Sequence, residues 1–216
     1  MMRFTDGAWV QTAAVRAAID AHPFLTALQD GTLPRERFEA YLAQDAHYLL
    51  AYARVLALCA AQADDAEDIA FWSAGAHNAI VVERSLHEAH VADFTLVQPS
   101  ATCTAYTSFL LGLGARGSYP VLTAGVLPCF WIYQDVGTRL IERVGDLPGH
   151  PYGDWIGTYG DPAFAAATEQ AKDVVDRVAA QAGPGVRERM ASAFDTSARF
   201  EWMFWDAAWR LESWPL

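Results

Sequence analysis

The chain has 216 residues, 53% of them hydrophobic, enough to bury a large core in one domain over 1–216, since no Ser/Gly/Pro-rich linker divides it. A net charge of −11 leaves no basic stripe to neutralise phosphates, which disfavours a nucleic-acid partner. Three cysteines, Cys59, Cys103 and Cys129, without C-x-x-C spacing argue against a disulfide framework and a zinc site and fit a reducing cytoplasm.

Alanine, leucine and long side chains dominate, while strand-type alternation and Asn-Gly or Asp-Gly hairpin signals are missing, so an all-α chain is predicted. The N-terminal Met1–Asp6 has no apolar signal core. Thr5 and Asp6 can cap a first helix, and His22-Pro23 and Gly31-Thr32-Leu33-Pro34 delimit a short second one. Pro34 then stands in the first turn of a long third helix reaching about Ala63. Its most apolar stretch, Tyr48 to Ala63, is broken by Arg54, so neither secretion nor a membrane span is expected. A fourth helix is predicted from about Asp65 to Ala92, and a loop with Pro99 leads to Ala101–Leu113. Pro120 opens a helix that carries Cys129 and ends near Gly145. Pro128 inside it removes a donor, frees the Ala124 carbonyl and kinks the helix. After a turn at Pro148-Gly149-His150-Pro151 come two long helices, about Pro162–Ala182 and Pro184–Leu211, separated by Gly183. Eight or so helices with short connections make a compact multi-helix bundle.

Side chains that carry chemistry concentrate on a few faces. In Leu127-Pro128-Cys129-Phe130-Trp131-Ile132-Tyr133 a thiol lies one turn before a phenol on an otherwise apolar run. Such a segment can supply a nucleophile with a dry aromatic wall; taken alone, it reads more simply as a buried cysteine serving as a small hydrophobe. Asp45, Tyr48 and Tyr52 fall at i, i+3 and i+7, placing a carboxylate between phenols, where it needs a structural partner or a ligand. Glu201 lies beside Phe204 and Trp205, with Phe200, Trp202 and Trp209 around it; the plainer alternative is a solvent-facing glutamate at the edge of an aromatic stripe. Tyr106, together with Trp155 and Tyr159 at i and i+4, would complete the surround of a flat heteroaromatic ring.

Histidines offer a competing pattern. Glu83 and His87 are at i and i+4 with His77, Glu88 and His90 nearby, and Asp45 is two residues from His47. A bundle di-metal site needs matched ligands on two further helices, and the second half of the chain supplies only His150. Asp45 and His47 point about 200° apart around a helix, so no metal site is expected. Neither a papain-like nor a serine-triad pattern is legible, and neither G-x-x-x-x-G-K-[ST] nor G-x-G-x-x-G occurs.

Five motifs in order across the chain resemble the thiaminase II (TenA) family of the heme-oxygenase-like all-α fold. They are His22-Pro23-Phe24 with Gly31-Thr32-Leu33 and Tyr41 to Leu49; Ala105-Tyr106-Thr107-Ser108; Leu127 to Gly137; Pro151 to Tyr159; and Phe200 to Asp206. The resemblance implies a pocket for the aminopyrimidine half of thiamin, with Cys129 as nucleophile and Glu201 as the proton-transferring carboxylate. It also implies that Asp45 binds the amidine-like edge of the ring, that Tyr48 and Phe204 stack on it, and that Tyr106, Tyr133 and Tyr159 complete the wall. Neither a metal nor an organic cofactor is implied, and a homotetramer is. Gly153, Asp154 and His47 depart from the family's usual residues. The leading expectation is a hydrolase acting on the aminomethyl pyrimidine or on thiamin itself. Two alternatives are a non-catalytic pyrimidine-binding or regulatory protein and a di-metal oxidase of the same fold.

Overall fold

The computed structural model describes residues 2–90 and 97–215; the side chains of 82–90 lie outside the described residues, and with them Glu83, His87, Glu88 and His90 of the histidine pattern. Ten helices are described: α1 (Phe4–Gln11), α2 (Ala13–Asp20), α3 (Pro23–Gln29), α4 (Arg35–Gln62), α5 (Ala66–His90), α6 (Ala101–Ala115), α7 (Tyr119–Val144), α8 (Gly153–Tyr159), α9 (Pro162–Gln181) and α10 (Pro184–Arg210). No strand occurs among the described residues.

Proline and capping side chains set most of the boundaries. His22 Nδ1 accepts from the N–H of Phe24 at 3.2 Å with Pro23 in the first turn of α3, and Asp161 accepts from Ala163 N at 2.6 Å ahead of Pro162. Ser100 Oγ accepts from Cys103 N at 3.1 Å and starts α6. The N-terminus differs from expectation. Arg3, not Thr5 or Asp6, occupies the cap position of α1, and Thr5 instead gives its N–H and hydroxyl to Asp176 of α9, at 2.9 and 2.8 Å. The first predicted helix is also divided at Thr12, whose hydroxyl bonds back to the carbonyls of Ala8 and Trp9, a local competitor of the helical ladder. The helix predicted from about Asp65 is α5 and begins at Ala66, and its predicted end at Ala92 lies outside the described residues.

Helix α7 is buried on almost every side from Val121 to Pro128 and again from Phe130 to Tyr133, as a helix apolar all round must be. It packs on α10, α9, α8, α6 and α4, while α5 lies along α4. Each of the ten helices contributes to one continuous apolar cluster, through residues such as Ala8, Ile19, Phe24, Leu42, Trp72, Cys103, Leu122, Trp155, Ala171 and Phe194. Trp9 of α1 stacks on Trp131 of α7 at 3.9 Å between ring centroids, with Arg16 over the first indole and Lys172 over the second. Among the described residues no helix is long and apolar enough to cross a membrane.

Close backbone approach places α8. A Cβ added at Gly137 would lie 2.5 Å from the carbonyl carbon of Tyr159 and 2.8 Å from its Cβ, so the end of α8 touches α7 only because Gly137 has no side chain. In an ordinary helix interior Gly→Ala stabilises by about 1 kcal/mol. Here the clash reverses the sign. Gly137→Ala is expected to lower stability by about 1–3 kcal/mol, as overpacking does, and to displace Tyr159. A thermal melt of the variant checks this, and an unchanged or raised midpoint would show that α8 is not pinned there.

Candidate active site

Helices α4, α6, α7, α8 and α10 bring all eight predicted site residues into one cluster. Asp45 and Tyr48 come from α4, Tyr106 from α6, Cys129 and Tyr133 from α7, Tyr159 from α8, and Glu201 and Phe204 from α10. Tyr48 is 5.0 Å from Tyr106 and 5.6 Å from Phe204 between ring centroids, and Tyr133 is 4.9 Å from Tyr159. Phe204 meets Tyr41 edge-on at 5.9 Å, and Tyr106 stacks on Phe200 at 5.0 Å. Trp155 and Trp205 close the side behind Tyr133, at 6.4 and 5.1 Å from its ring.

Two carboxyl groups stand inside this aromatic wall. Glu201 is 1% exposed, which removes the solvent-facing alternative, and Asp45 is 3% exposed. Tyr106 donates its hydroxyl to Glu201 Oε1 at 2.5 Å. Burial pushes the Glu201 carboxyl up to about 8; the Tyr106 hydrogen bond opposes the rise, and the nearby Asp45 charge adds to it. At neutral pH Glu201 is therefore mostly an uncharged acid able to give a proton.

Cys129 lies deep in the bundle, within electrostatic reach of both carboxyls and near the hydroxyls of Tyr48 and Tyr52. Burial holds its thiol well above the ordinary range, ionisation of Glu201 would raise it further, and the two phenolic hydroxyls pull the other way. Yet Cys129 is only half-buried although Phe130, Tyr133, Tyr48 and Tyr159 around it are buried. Cys59 and Cys103, by contrast, are packed and buried. The nitrogens of Trp155 and Trp205 are buried without a hydrogen-bond partner, donors in the wall of the same cluster.

Tyr41 and Tyr52 belong to the site beyond the eight. Tyr41 gives its hydroxyl to that of Tyr133 at 3.1 Å, and Tyr52 gives its own to the Val126 carbonyl at 2.8 Å. Their spacing was the available signal, since Tyr41 precedes Asp45 and Tyr52 follows Tyr48 by one helical turn. Three of the histidines are used elsewhere. His47 Nε2 meets the Val97 carbonyl at 2.6 Å, His150 Nε2 meets that of Gln29 at 3.1 Å, and His22 caps α3. Among the described residues no three His, Cys, Asp or Glu side chains are grouped to hold a metal ion.

Residues 11–211 match the TENA/THI-4/PQQC family. The chain belongs to that family. An aminopyrimidine aminohydrolase from Bacillus subtilis is 34% identical over 201 residues, covering 89% of this chain and 84% of that protein. The thiamine biosynthesis multifunctional protein ThiED of Corynebacterium glutamicum is 36% identical over 207 residues. This chain spans only 27% of its length. Among solved structures, a TenA homologue from P. horikoshii superposes with a TM-score of 0.84 at 27% identity over 97% of this chain and 99% of that one. A heme-oxygenase-like domain from Shewanella denitrificans superposes at 0.73 with 15% identity over 98% of this chain and 94% of that one, a likeness of fold alone. The TenA-family chain thus has the all-α, heme-oxygenase-like bundle expected of it.

The raised Glu201 couples stability to pH. The unfolded chain releases this proton near the ordinary value of 4.5 and the folded chain only at about 8. The stability contributed is thus full below about pH 4.5 and is lost as pH rises through about 8. Glu201→Gln is expected to flatten this fall, so that its denaturation midpoint drops less than the parent's between about pH 5 and about pH 8.5. Parallel urea titrations decide; equal drops would mean that another group titrates.

Proposed function

We propose that this TenA-family protein hydrolyses aminopyrimidines, replacing the amine of 4-amino-5-aminomethyl-2-methylpyrimidine by water, with thiamin a slower substrate whose thiazolium is the leaving group. The observation that carries the reading is a deep thiol with residual surface, within electrostatic reach of two buried carboxyl groups in an aromatic cluster. The named aminohydrolase relatives support it.

A flat, basic heteroaromatic ring suits every part of the cluster. Tyr48 and Phe204 offer aromatic surfaces for stacking, and Tyr106, Tyr133 and Tyr159 close the wall. Asp45 binds the amidine-like edge, where a ring nitrogen and the exocyclic amine present two donors once the ring is protonated. Because burial disfavours the thiolate, Cys129 rests as a thiol and ionises only as it reacts. Its sulfur adds to the ring and its proton passes to the amine, while Glu201 gives a proton to the ring nitrogen. The amine then leaves as ammonia, its bonding pair withdrawn from the methylene, and electrons from the ring's amino group form the exocyclic double bond. Water adds to that methylene and its proton restores Glu201 to the acid. The carbon–sulfur bond breaks, and the sulfur recovers a proton from the ring nitrogen. Cysteine and glutamate end as they began, and the sum is water in, ammonia out.

The preference for the small leaving group follows from the wall. One ring fills an aromatic cage of this kind, and the second ring of thiamin must displace closing aromatics or sit partly outside. The aminomethyl pyrimidine is expected to show the higher kcat/KM on one preparation; a clear preference for thiamin would contradict this.

Cys129→Ser should fold and lose activity by about 10³-fold or more, because a serine hydroxyl with no dedicated base is a far poorer nucleophile. Ammonia release by the parent and the variant tests the proposal, and near-normal turnover in the variant would end the covalent mechanism. The required acid form of Glu201 also makes kcat/KM fall as pH rises through about 8. Tyr106→Phe removes the hydrogen bond that favours the carboxylate, so it should move that alkaline limb upward. A limb unmoved by Tyr106→Phe would assign it to another group.

A further inference from the structure

Two helices supply the reacting pair, Cys129 from α7 and Glu201 from α10, and nothing within either helix fixes how far one slides along the other. One turn before the pair they are tied. Ser197 Oγ donates to the Gly125 carbonyl at 2.7 Å, in a fully buried contact. Ser197 precedes Glu201 by four residues and Gly125 precedes Cys129 by four, so the hydrogen bond joins the same two helix faces that present the thiol and the carboxyl. In α-helical pairing the Gly125 carbonyl is also the acceptor for the N–H of Cys129 itself. Gly125 also lacks a side chain where α6 comes close, since a Cβ there would lie 2.4 Å from Leu113 Cδ1, whereas Ala193 of α10 would be at an ordinary 3.8 Å.

We propose that Ser197 is a positioning residue for this reaction, its hydrogen bond to Gly125 holding α10 against α7 in the register that sets Glu201 beside Cys129. A buried hydroxyl could instead serve packing alone, satisfied by whichever carbonyl lies nearest. Its own helix offers it one at Ala193, the usual resort of a serine inside a helix. It crosses to α7, beside the one residue whose chemistry depends on α10. Tyr52, reaching from α4 to the Val126 carbonyl, adds a second tie to the same turn of α7. The two ties differ in consequence, since only that of Ser197 lies on the helix of Glu201.

The inference rests on the aminohydrolase reading, and the experiment separates the two. Ser197→Ala, Glu201→Gln and the double variant are compared with the parent for kcat and KM on the aminomethyl pyrimidine, with Ser197→Thr as the conservative variant that keeps a hydroxyl. Displacement of a reacting group by a fraction of an ångström costs on the order of tenfold to a hundredfold in rate. Ser197→Ala should therefore lower kcat by about tenfold or more with KM changed less than about twofold, and Ser197→Thr should recover most of it. In the Glu201→Gln background Ser197→Ala should add less than about twofold, because the clamp acts through that carboxyl. Full additivity in the double variant, or a lowered melting point with unchanged kcat, would overturn the proposal. Peptide-resolved alkylation of Cys129 by iodoacetamide against pH gives a readout that needs no turnover. The Ser197→Ala profile should shift in the direction of Glu201→Gln, with no further shift in the double variant. If the parent releases no ammonia yet these profiles shift together, the aminohydrolase reading fails and the clamp stands; if ammonia is released and the profiles do not move, the clamp fails alone.

Discussion

Among the described residues Glu201 is a carboxyl group taken out of water whose hydrogen bond comes from a phenol and not from a cation, and the surrounding structure is arranged around that cost. An ionised carboxylate so placed is expensive, so the group keeps its proton and takes one short hydrogen bond from Tyr106. That single circumstance supplies an acid at neutral pH. Burial likewise suppresses the thiolate of Cys129, since a dry environment opposes its negative charge and a charge on either carboxyl would oppose it further. The phenols Tyr41, Tyr48, Tyr106, Tyr133 and Tyr159 are held uncharged for the same reason, and they can lend hydroxyls without adding charge.

Such an arrangement works only if the groups cannot drift, and the fold secures this at α7. Three carbonyls around Cys129 each take a hydroxyl from a different helix: Gly125 from Ser197 of α10, Val126 from Tyr52 of α4, and Phe130 from Thr168 of α9 at 3.4 Å. Glycines admit the remaining neighbours, Gly125 against Leu113 and Gly137 against Tyr159. The exposed ion pairs, such as Arg199 with Asp195 and Arg210 with Asp206, are solvated contacts within one turn and contribute little to that rigidity. The site is held by hydroxyl-to-carbonyl ties and close packing.

Much of this was legible in the chain. Proline and glycine marked the ends of α3, α4, α7, α9 and α10, because a missing N–H or a free φ acts locally and needs no tertiary context. The division at Thr12 was not, since it depends on a hydroxyl choosing the backbone of its own turn, and neither was the acceptor for the first turn of α1, Asp176, far along the sequence. Motif positions named all eight clustered side chains. Residue spacing alone left Glu201 open between core and solvent, because periodicity gives the faces of a helix without saying which face the bundle covers. Ser197 and Tyr41 escaped notice for a related reason: each lies one turn from a carboxyl, and its partner is on another helix.

The protonation of Glu201 at neutral pH is the claim on which the rest turns, and infrared difference spectroscopy reads it without any substrate. The parent protein should show a protonated-carboxyl C=O band at pH 6 that disappears with a midpoint of about 8, and Glu201→Gln should lack that band. A spectrum at pH 6 in which the parent and Glu201→Gln do not differ in this region would mean that Glu201 is already ionised, and the account of the site as a resting acid beside a resting thiol would be wrong.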